Sequence, residues 1–363
     1  MKEKKVIISG GGTAGHIYPA LAVGDKLKER DPTLHLTFIG STREVEKNIM
    51  KHHRANFIAL KIEGIKGRGL KTIKSLLLLP LSFMKSFAIL RHIMPNLVIG
   101  AGGYSSGPIV LLASLMKIPT LILEQNRYPG FTNRLLVPWV RKAVVSFKSS
   151  LPYFKGKGIF IGNPVRDEFY HLSPKVRNSK LTILLFGGSQ GSHFLNKGMT
   201  ASLSLLKKEK GNLRIFHQTG SKDYEWVKKC YFQNEFKEVF IAPYFFDMAS
   251  YFQKSDLIIS RAGATTIAEL VASQKASLLI PFSKATDNHQ FFNARELDKI
   301  RGAEIVLEEE FTPKILVDKI FYFLKNKEKI TQMEKNLVPM KAEKVAEKIS
   351  NFCFELMETG LKE

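Results

Sequence analysis

Two glycine-rich turns, one in each half of the chain, have the composition of phosphate-binding sites. Each follows an apolar run that predicts a buried strand and precedes a helical segment: KKVIISGGGTAGH (4–16) and KLTILLFGGSQGSH (180–193). Glycine lets the backbone approach a ligand closely, and the N–H groups that begin the following helix favour an anion. We therefore expect two nucleotide-binding folds that face a shared cleft, with Ser189 in contact with phosphate.

A histidine directly after the first turn is a candidate base. His16 lies at the predicted start of a helix. Histidine side chains in general titrate near neutral pH, which suits them to take a proton from a hydroxyl. A histidine at this position also fits a structural role, but its place beside the expected cleft favours the catalytic interpretation.

Polar residues at the carboxyl ends of two other predicted strands are further candidates, because ligands bind at that edge of an open parallel sheet. They are Tyr104, Ser105 and Ser106 in GAGGYSSGP (100–108), and Glu124 and Asn126 in LEQN (123–126). The glycines of the first segment also fit an ordinary turn. Glu124 and Asn126 suit contacts with a sugar or an incoming hydroxyl, and Glu124 is the second candidate base.

The second half of the chain repeats this arrangement. In SRAGATTIAEL (260–270), Thr265 and Glu269 are four residues apart and share one helical face. A carboxylate there can accept both hydroxyls of a ribose, and a capping box formed by Thr266 and Glu269 is the alternative. After the predicted strand SLLIPF, Gln290 offers a side-chain amide to sugar hydroxyls.

Two other chemistries fit only part of the pattern. A dinucleotide-dependent dehydrogenase needs an acid at the tip of its second strand, where this chain has Ser41 and Thr42. A serine hydrolase fits the G-x-S-x-G around Ser189, followed by Asp256 and His289. It leaves the matching turn of the first half without a role, whereas phosphate binding accounts for both turns.

The elements that carry these motifs predict an α/β fold with two parallel sheets. Near-continuous apolar strands alternate with helical segments, which indicates sheets covered on both faces. The pattern restarts at LTILLF, after a connector rich in proline and charge (162–180). We expect an N-terminal domain, 1–163, joined by a last helix within 340–363, and a C-terminal domain, 164–339.

Composition limits the protein class. The net charge of +22 attracts polyanions or anionic membranes, or reflects a generally lysine-rich composition. Two cysteines are too few for a disulfide framework, and no signal core precedes the first strand, so we expect a cytoplasmic protein. No set of His, Asp or Glu has metal-ligand spacing, and no nucleic-acid recognition motif is present. We expect neither a metal nor a nucleic-acid partner.

The segment 65–95 combines basic and apolar residues. Its uninterrupted apolar part is shorter than the ~20 residues that cross a bilayer. A basic, apolar helix can lie in a membrane interface, and a buried helix with solvated lysines is the alternative. The residues expected to form a membrane patch are Lys71, Lys74, Leu77, Leu78, Leu79, Phe83 and Lys85.

Together the motifs resemble those of the MurG family. They are GGTAGHIYPALAV, GAGGYSSGP, EQN followed by PG and TN, GNPVR, GGSQGS, RAGATTIAEL and DNHQ followed by NA, in this order between residues 5 and 340. Each motif is weak alone, and their combination is specific. The resemblance implies a GT-B architecture of two Rossmann-like domains, with the donor bound mainly by the second.

The resemblance also implies an activity and a location. The activity is inverting transfer of N-acetylglucosamine from UDP-GlcNAc to the muramyl sugar of undecaprenyl-pyrophosphoryl-MurNAc-pentapeptide, with a β-1,4 linkage. It takes place at the cytoplasmic face of the inner membrane, beside other cell-wall enzymes. Inversion needs a base and stabilisation of the departing diphosphate, which helix N-termini can supply without a cofactor. One alternative is a UDP-sugar transferase of this fold with a different acceptor. The other is a basic, non-enzymatic nucleic-acid-binding protein, which the net charge alone favours.

The functional positions of the family map onto this chain residue by residue. The implied donor contacts are Thr13, Ala14, Gly15, Asn126, Arg166, Ser189, Phe245, Ala264, Thr265, Thr266, Ile267, Ala268, Glu269 and Gln290. Arg166 and Phe245 would flank the uracil, and Glu269 would hold the ribose. The residues expected on the acceptor side are Tyr104, Ser105, Ser106 and Asn133. The chain departs from the family at YFFDM (244–248), where relatives often have an F-I-D-D-M-like run.

Overall fold

The computed structural model describes residues 3–11, 14–60, 71–173 and 179–359, and gives the helical backbone alone for residues 14, 45 and 71–79. The chain forms two compact units. The first comprises Met1–Arg166 and Lys344–Glu363, and the second comprises Asp167–Glu343.

The first unit contains a seven-stranded parallel sheet. Its strands are β1 (Lys5–Ser9), β2 (His35–Ser41), β3 (Phe57–Leu60), β4 (Leu97–Gly100), β5 (Thr120–Glu124), β6 (Lys142–Val145) and β7 (Gly158–Phe160). Their spatial order is β3-β2-β1-β4-β5-β6-β7. The described helices between them are α1 (Ala14–Arg30), α2 (Glu44–His52), α3 (Lys71–Ile93), α4 (Ser106–Leu115) and α5 (Phe131–Leu136).

The second unit has the same layout with six parallel strands. They are β8 (Leu181–Phe186), β9 (Leu213–Gln218), β10 (Val239–Ala242), β11 (Leu257–Ser260), β12 (Ser277–Leu279) and β13 (Ala303–Ile305), in the order β10-β9-β8-β11-β12-β13. Its helices are α6 (His193–Leu206), α7 (Tyr224–Gln233), α8 (Met248–Lys254), α9 (Ala264–Ser273), α10 (His289–Asp298), α11 (Pro313–Lys325) and α12 (Lys327–Leu337).

The last helix, α13 (Val345–Thr359), belongs to the first unit and packs against α1. The guanidinium of Arg30 lies 4.4 Å from the ring centroid of Phe354. The apolar face of α13, which includes Ile349 and Cys353, is fully buried. The chain therefore closes the unit with which it began.

Central strands of both sheets are apolar on both faces because helices cover both. Ile7, Val98 and Ile122 in the first sheet, and Ile183 and Ile259 in the second, are completely buried. The sequence pattern did not predict the edge strands β3 and β13. Both strands are short and partly exposed. A glutamate interrupts β13 (AEI), whereas β3 (FIAL) is as apolar as β4 (LVIG) and was overlooked.

Helix α3 continues through Pro80, which lacks the N–H that a helix interior uses. In the part of the chain that the structure describes, no helix combines the length and the apolar character needed to cross a bilayer.

Candidate functional site

In the first unit, the glycine loops that follow β1 and β4 pack backbone against backbone. Gly11 N donates to Gly102 O at 3.3 Å, and Ala101 N donates to Ser9 O at 2.7 Å. Gly103 has φ +81°, and a Cβ there would overlap the carbonyl oxygen of Gly11. The chain order of the sheet reverses between β1 and β4, and such a crevice is where ligands bind in open α/β sheets.

His16 lies at this crevice, in the first turn of α1. Its Nδ1 is 3.2 Å from Oε1 of Gln125, the residue that follows β5. Gly102, at φ +96°, packs against the same edge of the ring, and a Cβ there would lie 2.6 Å from Nδ1. Loops after three neighbouring strands therefore converge on one imidazole.

Glu124 lies beside Gln125, but its carboxyl group accepts hydrogen bonds from the loop that directly follows β5. Its Oε1 accepts from the backbone N of Asn126 at 2.9 Å and from Asn126 Nδ2 at 3.2 Å. Its Oε2 accepts from Gly130 N and from Asn133 Nδ2, both at 2.9 Å. Burial raises the pKa of Glu124, against these four donors, which lower it. The carboxyl group thus organises the turn 126–133, and its described contacts occupy both oxygens.

We expect Glu124→Gln to destabilise the first unit by about 1–3 kcal/mol, because the new amide NH2 would face N–H donors that now have an acceptor. Thermal unfolding measures this loss. If Glu124 were instead the base, the substitution would abolish turnover and leave the unfolding temperature unchanged.

The residues expected on the acceptor side differ in accessibility. Ser105, Ser106 and Asn133 are at most 3% exposed. Ser106 Oγ donates to Gly103 O at 2.8 Å, and Asn133 Nδ2 also donates to Leu123 O at 3.1 Å. The side chains of Ser106 and Asn133 therefore hold the loops in place. Tyr104 is partly exposed and is the accessible member of the four.

Of the donor contacts expected in the first unit, those that the structure describes lie on α1 or against it, except Asn126, which lies in the loop after β5. Thr13 falls outside the described residues, and Ala14 begins the helix. Gly15, Asn126 and Arg166 are partly exposed. The guanidinium of Arg166 lies 4.6 Å from the ring centroid of Tyr18, so Arg166 packs against α1 near its start.

In the second unit, the turn after β8 packs against the loop after β9. Gly191 has φ +76° and Gly220 has φ +79°. A Cβ on Gly191 would overlap the carbonyl oxygen of Thr219, and a Cβ on Gly220 would overlap that of Gln190. The turn leads into α6, whose N-cap Ser192 accepts from Leu195 N at 3.4 Å. Its free helix start is a ready anion site, and Ser189 beside it is partly exposed.

A buried polar network supports this turn from below. Asn196 Nδ2 donates to Thr219 O at 2.8 Å and to Asp223 Oδ2 at 2.7 Å. His217 Nε2 is 3.0 Å from Asn196 Oδ1, and its Nδ1 is 3.1 Å from the hydroxyl of Tyr231. Burial lowers the pKa of His217 to about 3, so this imidazole is neutral at physiological pH.

Phe245 does not present its ring as a base-flanking residue would. Its side chain is 3% exposed and stacks on Tyr251, with the ring centroids 3.9 Å apart. Its backbone N donates to Gln218 Oε1 at 2.8 Å, and Gln218 Nε2 donates to Gly188 O at 2.9 Å. The neighbouring Phe246 is 70% exposed. At this position the backbone, rather than the ring, is tied through Gln218 to the glycine turn after β8.

The helix expected to bind ribose begins at Ala264 with Gly263 as its N-cap. The capping box of Thr266 and Glu269 is therefore wrong, because Thr266 lies inside the helix. Thr265, Thr266 and Ala268 are partly exposed, Glu269 is 7% exposed, and Ile267 is buried in the core. Ile267 is thus placed for packing.

Gln290 joins the ends of two strands. Its Oε1 accepts from Ala262 N at 3.2 Å and from Phe282 N at 3.0 Å. These bonds fix the loops after β11 and β12 against α10. Gln290 is partly exposed, which leaves part of its amide at the surface of the site.

Comparisons with known proteins agree with this geometry. Residues 6–145 match the glycosyltransferase family 28 N-terminal domain, and residues 182–349 match the C-terminal domain of the same family. A UDP-N-acetylglucosamine--N-acetylmuramyl-(pentapeptide) pyrophosphoryl-undecaprenol N-acetylglucosamine transferase of Myxococcus xanthus is 38% identical, over 97% of this chain and 93% of its own. The transferase of the same name from Syntrophus aciditrophicus is 41% identical, over 91% and 92%.

The chain belongs to the MurG family. The crystal structure of Acinetobacter baumannii MurG superposes with a TM-score of 0.75 at 26% identity, covering 97% of this chain and 99% of that one. The predicted family, the GT-B class with two parallel sheets and the glycosyltransferase class are thereby confirmed. The roles of individual residues stay predictions.

Sequence analysis of this MurG-family chain missed a buried arginine. Arg261 follows β11, and its Nε donates to Ser192 Oγ at 3.2 Å while Nη1 donates to Ile280 O at 3.0 Å. Its Nη2 forms an ion pair with Glu308, and both side chains are about one-tenth exposed. Arg261 therefore ties the N-cap of α6 to the end of β12. An arginine after a strand gives no sequence signal for this role.

Among residues 3–11, 14–60, 71–173 and 179–359, no group of three or more His, Cys, Asp or Glu side chains is arranged to hold a metal ion.

Proposed function

We propose that this chain transfers N-acetylglucosamine from UDP-GlcNAc to the muramyl sugar of undecaprenyl-pyrophosphoryl-MurNAc-pentapeptide, with inversion and a β-1,4 linkage. The observation that carries the proposal is 38% identity across 97% of the chain to a transferase whose name states this reaction. The two glycine cradles, each at the carboxyl edge of a parallel sheet, fit a sugar diphosphate.

The donor binds mainly to the second unit. The N-terminus of α6 and Ser189 hold the diphosphate, and Thr265, Thr266 and Glu269 hold the ribose. The partial positive charge of the helix start stabilises negative charge that develops on the leaving UDP. Gln290 and the backbone at Phe245 complete the donor contacts of the second unit. The resemblance to the family assigns further donor contacts to Thr13, Ala14, Gly15, Asn126 and Arg166.

The acceptor binds to the first unit, where His16 is the base and Tyr104 contacts the acceptor. The acceptor hydroxyl oxygen attacks the anomeric carbon, and the bond from that carbon to the diphosphate oxygen breaks. UDP leaves with the electron pair, and His16 takes the hydroxyl proton. Glu124 holds the Asn126 turn and is not the base.

The decisive experiment mixes the purified chain with UDP-GlcNAc and a short-chain lipid-linked muramyl pentapeptide and measures UDP release. We expect release that depends on the lipid acceptor. Release with a different sugar acceptor alone would instead assign the chain to another UDP-sugar transferase of the same fold.

We also propose that the first unit rests on the cytoplasmic membrane surface, where the acceptor lipid is anchored. Exposed apolar side chains lie on α3, which packs on α4, and α4 packs on α5. They are Leu81, Met84 and Phe87 on α3, Leu115 on α4, and Leu135 and Trp139 at α5, each about half exposed or more. Lys85 on α3 is exposed and Phe83 is half-buried, whereas the side chains of Lys71, Lys74 and Leu77–Leu79 lie outside the described residues.

Changing Met84 and Phe87 together to serine is expected to weaken binding to anionic phospholipid vesicles about tenfold or more, since each apolar side chain contributes about 1–2 kcal/mol on burial. Vesicle co-sedimentation measures the binding. Phe232→Ser is the matched control, because Phe232 is 84% exposed on α7 of the second unit. If both variants lost vesicle binding equally, the exposed apolar residues of α3 would not be the membrane-binding surface.

A further inference from the structure

Gln125 is a buried amide with both of its polar atoms engaged. It is 2% exposed. Its Nε2 donates to the backbone carbonyl oxygen of Ala101 at 3.0 Å, and its Oε1 lies 3.2 Å from Nδ1 of His16. A carbonyl oxygen can only accept, so the NH2 group must face Ala101. The orientation of the Gln125 amide is therefore fixed by the loop after β4.

This orientation decides which nitrogen of His16 carries the proton. The amide oxygen of Gln125 can only accept, so Nδ1 of His16 must donate. In a neutral imidazole one nitrogen is protonated and the other holds a lone pair, and the partner of the first selects the tautomer. With the proton on Nδ1, the lone pair is on Nε2.

The ring has little freedom to escape this contact. Gly102, between Ala101 and the rest of the β4 loop, packs directly on the Nδ1 edge of the imidazole. Any larger residue at that position would push the ring away from Gln125. The backbone of one loop and the side chain of the next therefore hold the same edge of His16.

We propose that Gln125 is a positioning residue that selects the Nδ1–H tautomer of His16 and so makes Nε2 the atom that takes the proton from the attacking hydroxyl. This inference rests on the proposed function, in which His16 is the base. After proton transfer the imidazolium carries protons on both nitrogens, and the Nδ1–H bond to Gln125 persists. Because the Gln125 amide is neutral, it selects the tautomer without placing a negative charge beside the ring.

The first test is spectroscopic and needs no substrate. In the full chain with 15N-labelled histidine, long-range 1H–15N correlation spectra distinguish protonated from unprotonated ring nitrogens. The His16 signals are those that disappear in His16→Gln. We expect protonated Nδ1 and unprotonated Nε2 for His16, and the reverse pattern would overturn the proposal.

His217 supplies an internal reference for the opposite tautomer. Asn196 uses its NH2 group on Thr219 O and Asp223, so its Oδ1 accepts from His217 Nε2. His217 should therefore show a protonated Nε2 in the same spectrum.

The second test compares Gln125→Leu with the wild-type chain. Without the amide acceptor, the imidazole reverts towards the Nε2–H form that predominates in water, and Nε2 then cannot accept a proton. We expect kcat to fall about 10- to 100-fold, the range typical of losing a partner that orients a functional histidine, while KM for UDP-GlcNAc changes less than about twofold. The His16 tautomer should shift in the same variant.

Other outcomes separate the two proposals. If Gln125→Leu shifts the tautomer but keeps the wild-type kcat, Gln125 is not a positioning residue for the reaction. If KM rises as much as kcat falls, its role is general loop support and the proposal fails. A wild-type chain with the expected tautomer but no UDP release would overturn the proposed function, and the tautomer selection by Gln125 would stand.

Discussion

Replacing His16 with alanine is expected to lower kcat by about 10²- to 10⁴-fold, the usual contribution of a positioned general base. The affinity for UDP-GlcNAc should change little, because the proposed diphosphate and ribose contacts are made by the turn before α6 and by α9. Steady-state kinetics with the lipid-linked acceptor, together with calorimetric titration of UDP, measure the two quantities separately.

His35→Ala is the matched control for this substitution. His35 begins β2, at the amino-terminal end of the strands of the same sheet, and its Nε2 forms an exposed pair with Oε2 of Glu3 at 2.9 Å. Such a pair contributes at most about 1 kcal/mol, so the control should keep both kcat and donor affinity. If His16→Ala reduced turnover and UDP affinity equally, His16 would be a binding residue and Nε2 would have no role as a base.

The central strands and the glycine turns are visible in the sequence because each has a strong local cause. Strands such as LVIG, TLILE and LTILLF are buried on both faces and therefore read as unbroken apolar runs that end where the strands end. Gly191 and Gly220 have positive φ and close backbone neighbours. The edge strand Ala303–Ile305 has neither a continuous apolar run nor a glycine turn, and the sequence pattern did not predict it.

Glu124 and Gln125 show what the sequence alone cannot predict. Glu124 was expected to reach the ligand, but Gln125 is the residue that contacts His16. Both residues stand at the end of β5, and either could reach a ligand on residue type alone. Successive side chains point in opposite directions at a strand end, so one turns to the Asn126 loop and the other to His16. Only tertiary contacts reveal which is which, because the partners Gly130, Ala101 and His16 come from different parts of the chain.

The buried supports of the donor turn were hidden for the same reason. Gln218 is the last residue of β9 and Arg261 directly follows β11, but their partners are backbone groups far away in sequence. A side chain that bonds to distant backbone leaves no periodicity or spacing. The positions of such residues follow from the fold, and the fold follows from the strands and turns that the sequence does encode.

Gly191→Ala is expected to cost the second unit about 3 kcal/mol or more of unfolding free energy and to weaken UDP binding. Positive φ alone costs a non-glycine residue about 1–3 kcal/mol. At Gly191 the new Cβ would also overlap the backbone carbonyl of Thr219, so one of the two packed loops must move. Because Ser189 lies on the displaced turn, the phosphate cradle should open.

Gly188→Ala, in the same turn, separates the cost of a positive φ from the cost of overlap between the new Cβ and a neighbouring backbone. Gly188 has φ +92°, yet a Cβ there meets nothing within 4 Å, so the loss should be only the strain of about 1–3 kcal/mol. Added UDP should raise the midpoint of one unfolding transition, which identifies that transition as the one of the donor-binding unit. The midpoint of this transition is then compared between Gly188→Ala and Gly191→Ala. Equal losses of unfolding free energy at Gly188 and Gly191 would mean that the loops after β8 and β9 can separate without cost. The contact between their backbones would then not determine the geometry of the glycine turn.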